Sequence, residues 1–269
     1  MSGMHGTGKS LRLNRILDKK TRRAVIIPMD HGVSSGPIAG IADIFGTISS
    51  VARGGATAVV VHKGILVSLP ALFDPGTGVI VHLSASTGLC KAPDAKTLVA
   101  TVEEALRLGA DAVSVHVNIG AETEPSMLRD LGTVAGECEK WGVPLLAMAY
   151  PRGPNIKNQF DVEVVRVAAR AAAELGADIV KTNYTGSPES FREVVLGCPV
   201  PVVIAGGPRM GSDLDVLKMV RESVDAGGAG VSIGRNVFQH ASIAGMTAAV
   251  ATIVLEGTSA EEAHKSIRQ

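Results

Sequence analysis

This chain of 269 residues has no excess of charge, no long apolar run and almost no cysteine, and each lack excludes something. Lys plus Arg and Asp plus Glu number 26 each, so the formal net charge is zero, and the charges are scattered without blocks. A surface for nucleic acid or an anionic membrane would show a basic stripe. None is present, so small neutral partners and individual anions are the ligands left. The longest apolar runs are strand-sized, and the first twenty residues carry Lys9, Arg12 and Arg15 without an apolar core segment. Neither a spanning helix nor a secretory signal is expected, and a cytoplasmic home follows by default. Cys90, Cys138 and Cys198 lie far apart with no CxxC pair. That argues against a disulfide framework and a cysteine zinc site, and favours reduced structural thiols.

What the chain does contain is one repeated pattern: a short apolar run, a polar loop, then a longer amphipathic segment. Eight apolar runs read as strands, at 24–30, 58–64, 78–84, 112–118, 144–150, 178–183, 202–207 and 230–235. Near-continuous apolar runs suit strands buried on both faces of a parallel sheet, which needs crossovers between neighbours. Helices are predicted at 41–53, 94–108, 124–140, 161–175, 187–196, 212–226 and 240–255, with a loop between the second and third strands. The stretches RLGADAV, ELGADIV and DAGGAGV each stop a helix on glycine and enter a strand. A last helix follows Thr258, with Ser259 and Glu262 spaced as a capping box. Eight strand–helix units in this length predict a (β/α)8 TIM barrel spanning residues 1–269 as one domain, with a doubly wound open sheet as the alternative. Residues 1–10 are expected to be a flexible extension, although GMHGTGKS, residues 3–10, matches the Walker A pattern. A phosphate loop of that kind leaves a strand and opens a helix, and two residues before Gly3 make no strand.

In such a barrel, reactive groups sit where strands end. Those ends are Asp30-His31-Gly32, His62-Lys63, His82, His116 with Asn118, Tyr150-Pro151-Arg152, Lys181, Gly206-Gly207 and Gly234-Arg235. Lys181 continues an apolar strand without a break, so it is either paired or reactive. An amine among apolar strands is poorly solvated as a cation, and its neutral form is a nucleophile toward ketones, which would give Schiff-base catalysis. The competing reading is an ion pair with Asp30 or another acid across the mouth. Asp30 and Tyr150 are placed to carry protons. Glycine loops after the seventh and eighth strands, with Arg235, suit a phosphate. A rival class uses His62, His82 and His116 as ligands of a catalytic zinc, although no HxH or HExxH spacing supports it. A non-catalytic barrel sensing a sugar phosphate is a third.

The segments IIPMDHGVSSGPI, VVVHKG, VIVHLS, VSVHVNIG, AMAYPRG, DIVKTNYTG, VIAGGP and IGRNVFQH together resemble the archaeal-type class I aldolases related to fructose-bisphosphate aldolase. The resemblance runs from about Leu11 to the C-terminus. It implies a (β/α)8 fold and a mechanism without metal or other cofactor, in which Lys181 is the Schiff-base lysine, Asp30 a proton acceptor and Tyr150 a proton donor. By the same match a phosphosugar would contact Asp30, His31, Gly32, Val33 and Ser34, the stretch from Tyr150 through Arg152 to Gly153, Gly206, Gly207, Gly234 and Arg235. Met29 ahead of DHGVSSGP is closer to a branch that transfers an enamine to L-aspartate semialdehyde than to the bisphosphate aldolases, where Phe is expected. Arg152 and His31 are the candidates for lining the acceptor space. The family also implies a homo-oligomer, often a decamer.

Overall fold

The computed structural model describes residues 6–68 and 76–267. All eight apolar runs are strands: β1 (Ala24–Pro28), β2 (Ala58–Val61), β3 (Gly78–His82), β4 (Ala112–Ile119), β5 (Leu145–Pro151), β6 (Ile179–Thr182), β7 (Val202–Ala205) and β8 (Gly230–Ser232). Each pairs in parallel with its sequence neighbours, and β8 closes on β1, so the sheet is the expected barrel rather than the open alternative. Closure pairs each barrel strand on both sides and leaves two apolar layers. Side chains alternate along each strand: Ala24, Ile26, Val60, Ile80, Leu146, Ile179 and Val203 fill the interior, while Val25, Val59, Val113 and Val180 pack against the helices. The helix-stopping glycines Gly109, Gly176 and Gly227 all have positive φ, which a side chain would strain. In the last helix, Ala260–Ile267, Ser259 Oγ meets Glu262 Oε2 at 2.7 Å and accepts from the Glu262 amide at 3.3 Å. The capping box read from the sequence is formed.

Three local expectations are corrected. Residues 7–10 are not a flexible extension: Thr7–Ile16 is a helix whose Leu13 and Ile16 seal the floor of the barrel interior. Its first turn buries Lys9, whose Nζ lies 3.0 Å from Glu139 and 3.3 Å from Asp178. The lysine of the Walker-like segment is thus spent on ion pairs at the end opposite the site; residues 1–5 of the extension lie outside the described residues. A side chain at Gly78 would meet Arg15 O at 2.6 Å, so glycine is what lets this helix lie against β3. The 94–108 segment is not one helix: Thr97–Leu98 pairs antiparallel with Ser84–Ala85, and the helix begins at Val102 after Thr101 caps the Glu104 amide. The link after β2 opens with a short helix, Lys63–Val67, and 69–75 lie outside the described residues. Among the described residues, no helix is long and apolar enough to cross a membrane.

Candidate active site

A cavity of about 320 Å³ opens at the C-terminal ends of the strands, within the size range of small-molecule sites. Lys181, Asp30, Tyr150, His31, Val33, Ser34, Arg152, Gly206, Gly207, Gly234 and Arg235 all line it, as do His62, His82 and His116. Gly32 does not; it is an exposed residue of the short helix His31–Ser35, between two residues that do.

Lys181 reaches this cavity because β6 keeps its alternation to the end. The register that points Ile179 into the barrel points Lys181 inward too, opposite Met148 on β5 and Val203 on β7. The residue is only 6% exposed, and among the described residues its ammonium has no hydrogen-bond or ion-pair partner. Asp30, just beyond β1, sits close enough to exert charge on it. The Asp30 carboxylate lies 3.6 Å from His31 Nδ1 and 3.9 Å from His82 Nε2, beyond hydrogen-bond length. Burial pushes the Asp30 pKa upward, but His82, His31, Lys181 and His62 together outweigh it and hold the carboxyl below the usual carboxylate range. Asp30 is therefore an anion surrounded by basic groups and open to the cavity.

The three imidazoles are partnered separately. His82 joins Ser114 Oγ through Nδ1 at 2.8 Å, and His62 stands edge-on to it with ring centroids 5.3 Å apart. His116 is turned toward β5: its ring lies 5.1 Å from that of Tyr150, and Nε2 meets Asn118 Oδ1 at 2.8 Å. Among the described residues no group of three or more His, Cys, Asp or Glu side chains is arranged to hold a metal ion, so the three-histidine alternative lacks its geometry. Burial instead disfavours the charged form of all three rings: His116 falls well below the ordinary value, His62 is lowered, and His82 falls to about 4 despite the pull of Asp30.

These shifts have a stability consequence. Between about pH 6.5 and 4 the unfolded chain takes up protons that the folded His82 refuses, so stability must fall as pH drops through that window. Chemical denaturation at pH 7 and 4.5 is expected to show a loss to which His82 alone contributes about 2 kcal/mol. The His82→Gln variant should lose less by that amount. An equal loss in both proteins would show that His82 is not held neutral.

The cavity has two unlike sides. On one, beside β7, β8 and β1, Arg235 donates to Gly207 O at 3.0 Å, and Asn236 pins the glycine loop through Gly206 O at 2.8 Å. Gly207 has φ +63° with open space where a side chain would stand, leaving its backbone bare toward the cavity. His31 belongs here, edge-on to Phe238 at 5.2 Å. Among the described residues three buried polar atoms of this side, His31 Nδ1, Ser232 Oγ and Arg235 Nε, have no hydrogen-bond partner, a condition uncommon in native structures and often found at functional sites. On the other side, beside β3 to β5, the Arg152 guanidinium lies 4.8 Å above the Tyr150 ring and 3.4 Å from Asp94 Oδ1. Lys96 Nζ bonds Pro93 O at 2.8 Å and Ser86 Oγ.

Sequence reasoning missed Ser232, Asp94 and Lys96. Ser232 could have been found, since it keeps the inward parity of Gly230 and Gly234. Asp94 and Lys96 could not, because they stand on an irregular segment that folds back over the mouth and whose sequence predicts a helix.

Known proteins resemble this chain closely. It is 46% identical over 261 residues to the 2-amino-3,7-dideoxy-D-threo-hept-6-ulosonate synthase of Halobacterium salinarum, covering 97% of this chain and 96% of the relative. It is 45% identical over 231 residues to the 2-amino-4,5-dihydroxy-6-oxo-7-(phosphonooxy)heptanoate synthase of Streptomyces griseus, covering 86% and 84%. The structure superimposes with TM-score 0.85 and 31% identity, over 91% of this chain and 99% of the other, on an archaeal fructose-1,6-bisphosphate aldolase captured with its catalytic lysine covalently bound to the carbinolamine intermediate of its substrate. The DeoC/LacD family aldolase signature matches residues 24–240. A closed parallel barrel carrying an inward lysine, these relatives and this match agree: the chain belongs to the DeoC/LacD aldolase family.

Proposed function

We propose that this enzyme is a Schiff-base transaldolase that makes 2-amino-3,7-dideoxy-D-threo-hept-6-ulosonate from 6-deoxy-5-ketofructose 1-phosphate and L-aspartate semialdehyde, opening a route to 3-dehydroquinate and the aromatic amino acids. Lys181 attacks the C5 ketone of the donor, and the carbinolamine loses water with a proton supplied by Tyr150. Asp30 accepts the proton of the C3 hydroxyl as the C3–C4 bond breaks. A three-carbon phosphorylated aldehyde departs, and the electron pair of the broken bond stays as an enamine on Lys181. The enamine carbon then attacks the semialdehyde, Asp30 returns its proton to the new alkoxide, and water releases the seven-carbon ketone. The observation that carries this reading is Lys181 itself, inward, buried and without a partner among the described residues. Asp30 stands near it, and a relative 46% identical over nearly its whole length bears the name of this synthase.

A second reading, condensation of dihydroxyacetone phosphate with the same semialdehyde, is favoured by one feature. The glycine loops with Arg235, whose Nε has no hydrogen-bond partner among the described residues, would hold a phosphate on the imine half, as the name of the Streptomyces product requires. One experiment separates the readings. Borohydride added with each donor should leave a reduced fragment on the peptide containing Lys181, and mass spectrometry of the untrapped reaction with the semialdehyde should show the dideoxy amino-ulosonate rather than its 7-phosphate. Label on another lysine, or none, would end the imine mechanism. Efficient cleavage of fructose 1,6-bisphosphate alone would make the protein an ordinary aldolase.

A further inference from the structure

The two products named for the relatives differ at carbon 7 but share a 2-amino-1-carboxylate head. If that proposed chemistry holds, the acceptor is an α-amino acid carrying an aldehyde, a zwitterion with one ammonium and one carboxylate. The cavity side away from the glycine loops has the complementary charges: Asp94, Lys96 and Arg152, one acid and two bases. They are held there by backbone. Asn118, buried on β4, donates to Asp94 O at 2.7 Å, and Lys96 is tied to Pro93 O and Ser86. His31, an acceptor candidate on sequence grounds, is instead beside Gly234 and Arg235, where a side chain on Gly234 would meet its Cε1 at 2.8 Å.

From this arrangement we infer that Asp94 and Lys96, with Arg152, form the acceptor subsite, Asp94 binding the ammonium of the amino-acid aldehyde and Lys96 and Arg152 its carboxylate. The resting Asp94–Arg152 pair is long, at 3.4 Å, and its side chains are 58% and 38% exposed, so little is lost in opening it. A zwitterion entering between them replaces one weak pair with two. The two cations also repel each other: after burial, Arg152 is among the groups that lower Lys96 below the ordinary lysine value, against the pull of Asp94. A carboxylate between them relieves that repulsion. Arg152 also lies over the Tyr150 ring, so the bound head is next to a proposed proton carrier.

The test compares L-aspartate semialdehyde with succinate semialdehyde, which lacks the amine, and with 3-aminopropanal, which lacks the carboxylate. Borohydride trapping of the keto donor on the unaltered enzyme comes first; without label on Lys181 the transaldolase reading falls and this subsite with it. With label, the unaltered enzyme should prefer the amino-acid aldehyde, because the wrong acceptor leaves a polar group unpaired. Asp94→Asn should cut its preference in kcat/KM over succinate semialdehyde by roughly tenfold or more, and Lys96→Met its preference over 3-aminopropanal by a similar factor. Asp94→Glu, which keeps the charge, should recover part of the first. If the unaltered enzyme shows no preference, or if both variants keep their ratios within about twofold, the imine chemistry stands and the subsite is overturned.

Discussion

Replacing Lys181 with Met is expected to lower turnover by roughly 10⁴-fold or more, the scale of losing a covalent nucleophile. Two features make so large an effect reasonable. Among the described residues the other lysine lining the cavity, Lys96, is hydrogen-bonded into its own segment, and Lys63, outside the cavity wall, is bound to both oxygens of Glu104, at 2.9 and 3.1 Å. Folding should not suffer either. The lysine stem already packs in an apolar layer opposite Met148 and Val203, and among the described residues its ammonium leaves no partner stranded. Met preserves the stem's length while removing a buried cationic head, so thermal unfolding should occur no lower than in the unaltered protein. Turnover, borohydride labelling and circular dichroism on one preparation decide the matter. A folded variant that keeps more than about a tenth of the activity would remove Lys181 from the chemistry.

The position of that lysine was legible because strand parity is local: a run that points Ile179 inward must point Lys181 inward as well. The eight strands were legible for the same reason, since fully buried parallel strands give continuous apolar runs. Whether Lys181 was paired was not legible. Asp30 is many residues away, and its distance from the amine depends on how the barrel closes. The direction of His116 was hidden too, because its contacts with Asn118 and Tyr150 come from the register between β4 and β5. The helix Thr7–Ile16 was missed because its reasons are distant: Lys9 answers to Glu139 and Asp178, and Leu13 and Ile16 answer to the barrel interior. A glycine-rich opening reads as loose only while those partners are out of view. Asp94 and Lys96 follow the same logic from the other end of the barrel, as polar residues whose purpose appears only when the segment holding them folds over the mouth.

Asp30→Asn and Tyr150→Phe are each expected to slow turnover by ~10²-fold or more, the usual scale of a positioned acid or base. Both substitutions are nearly isosteric. The Asp30 carboxylate forms no hydrogen bond among the described residues, only close approaches to His31 and His82. Phe at 150 keeps the ring contacts with His116 and Arg152. The losses should therefore be in kcat and kcat/KM together, as for interactions made in the transition state. The two variants should fail at different steps. Without the Asp30 carboxylate the imine still forms but the C–C bond stays intact, so borohydride should trap the whole six-carbon donor on Lys181 rather than a three-carbon fragment. Without the Tyr150 hydroxyl the carbinolamine keeps its oxygen, and borohydride, which reduces the imine and not the carbinolamine, should trap less of either. Three-carbon adducts accumulating at the unaltered rate in Asp30→Asn would transfer the cleavage base to another group. Undiminished trapping in a slow Tyr150→Phe variant would move the tyrosine from dehydration to a later proton transfer.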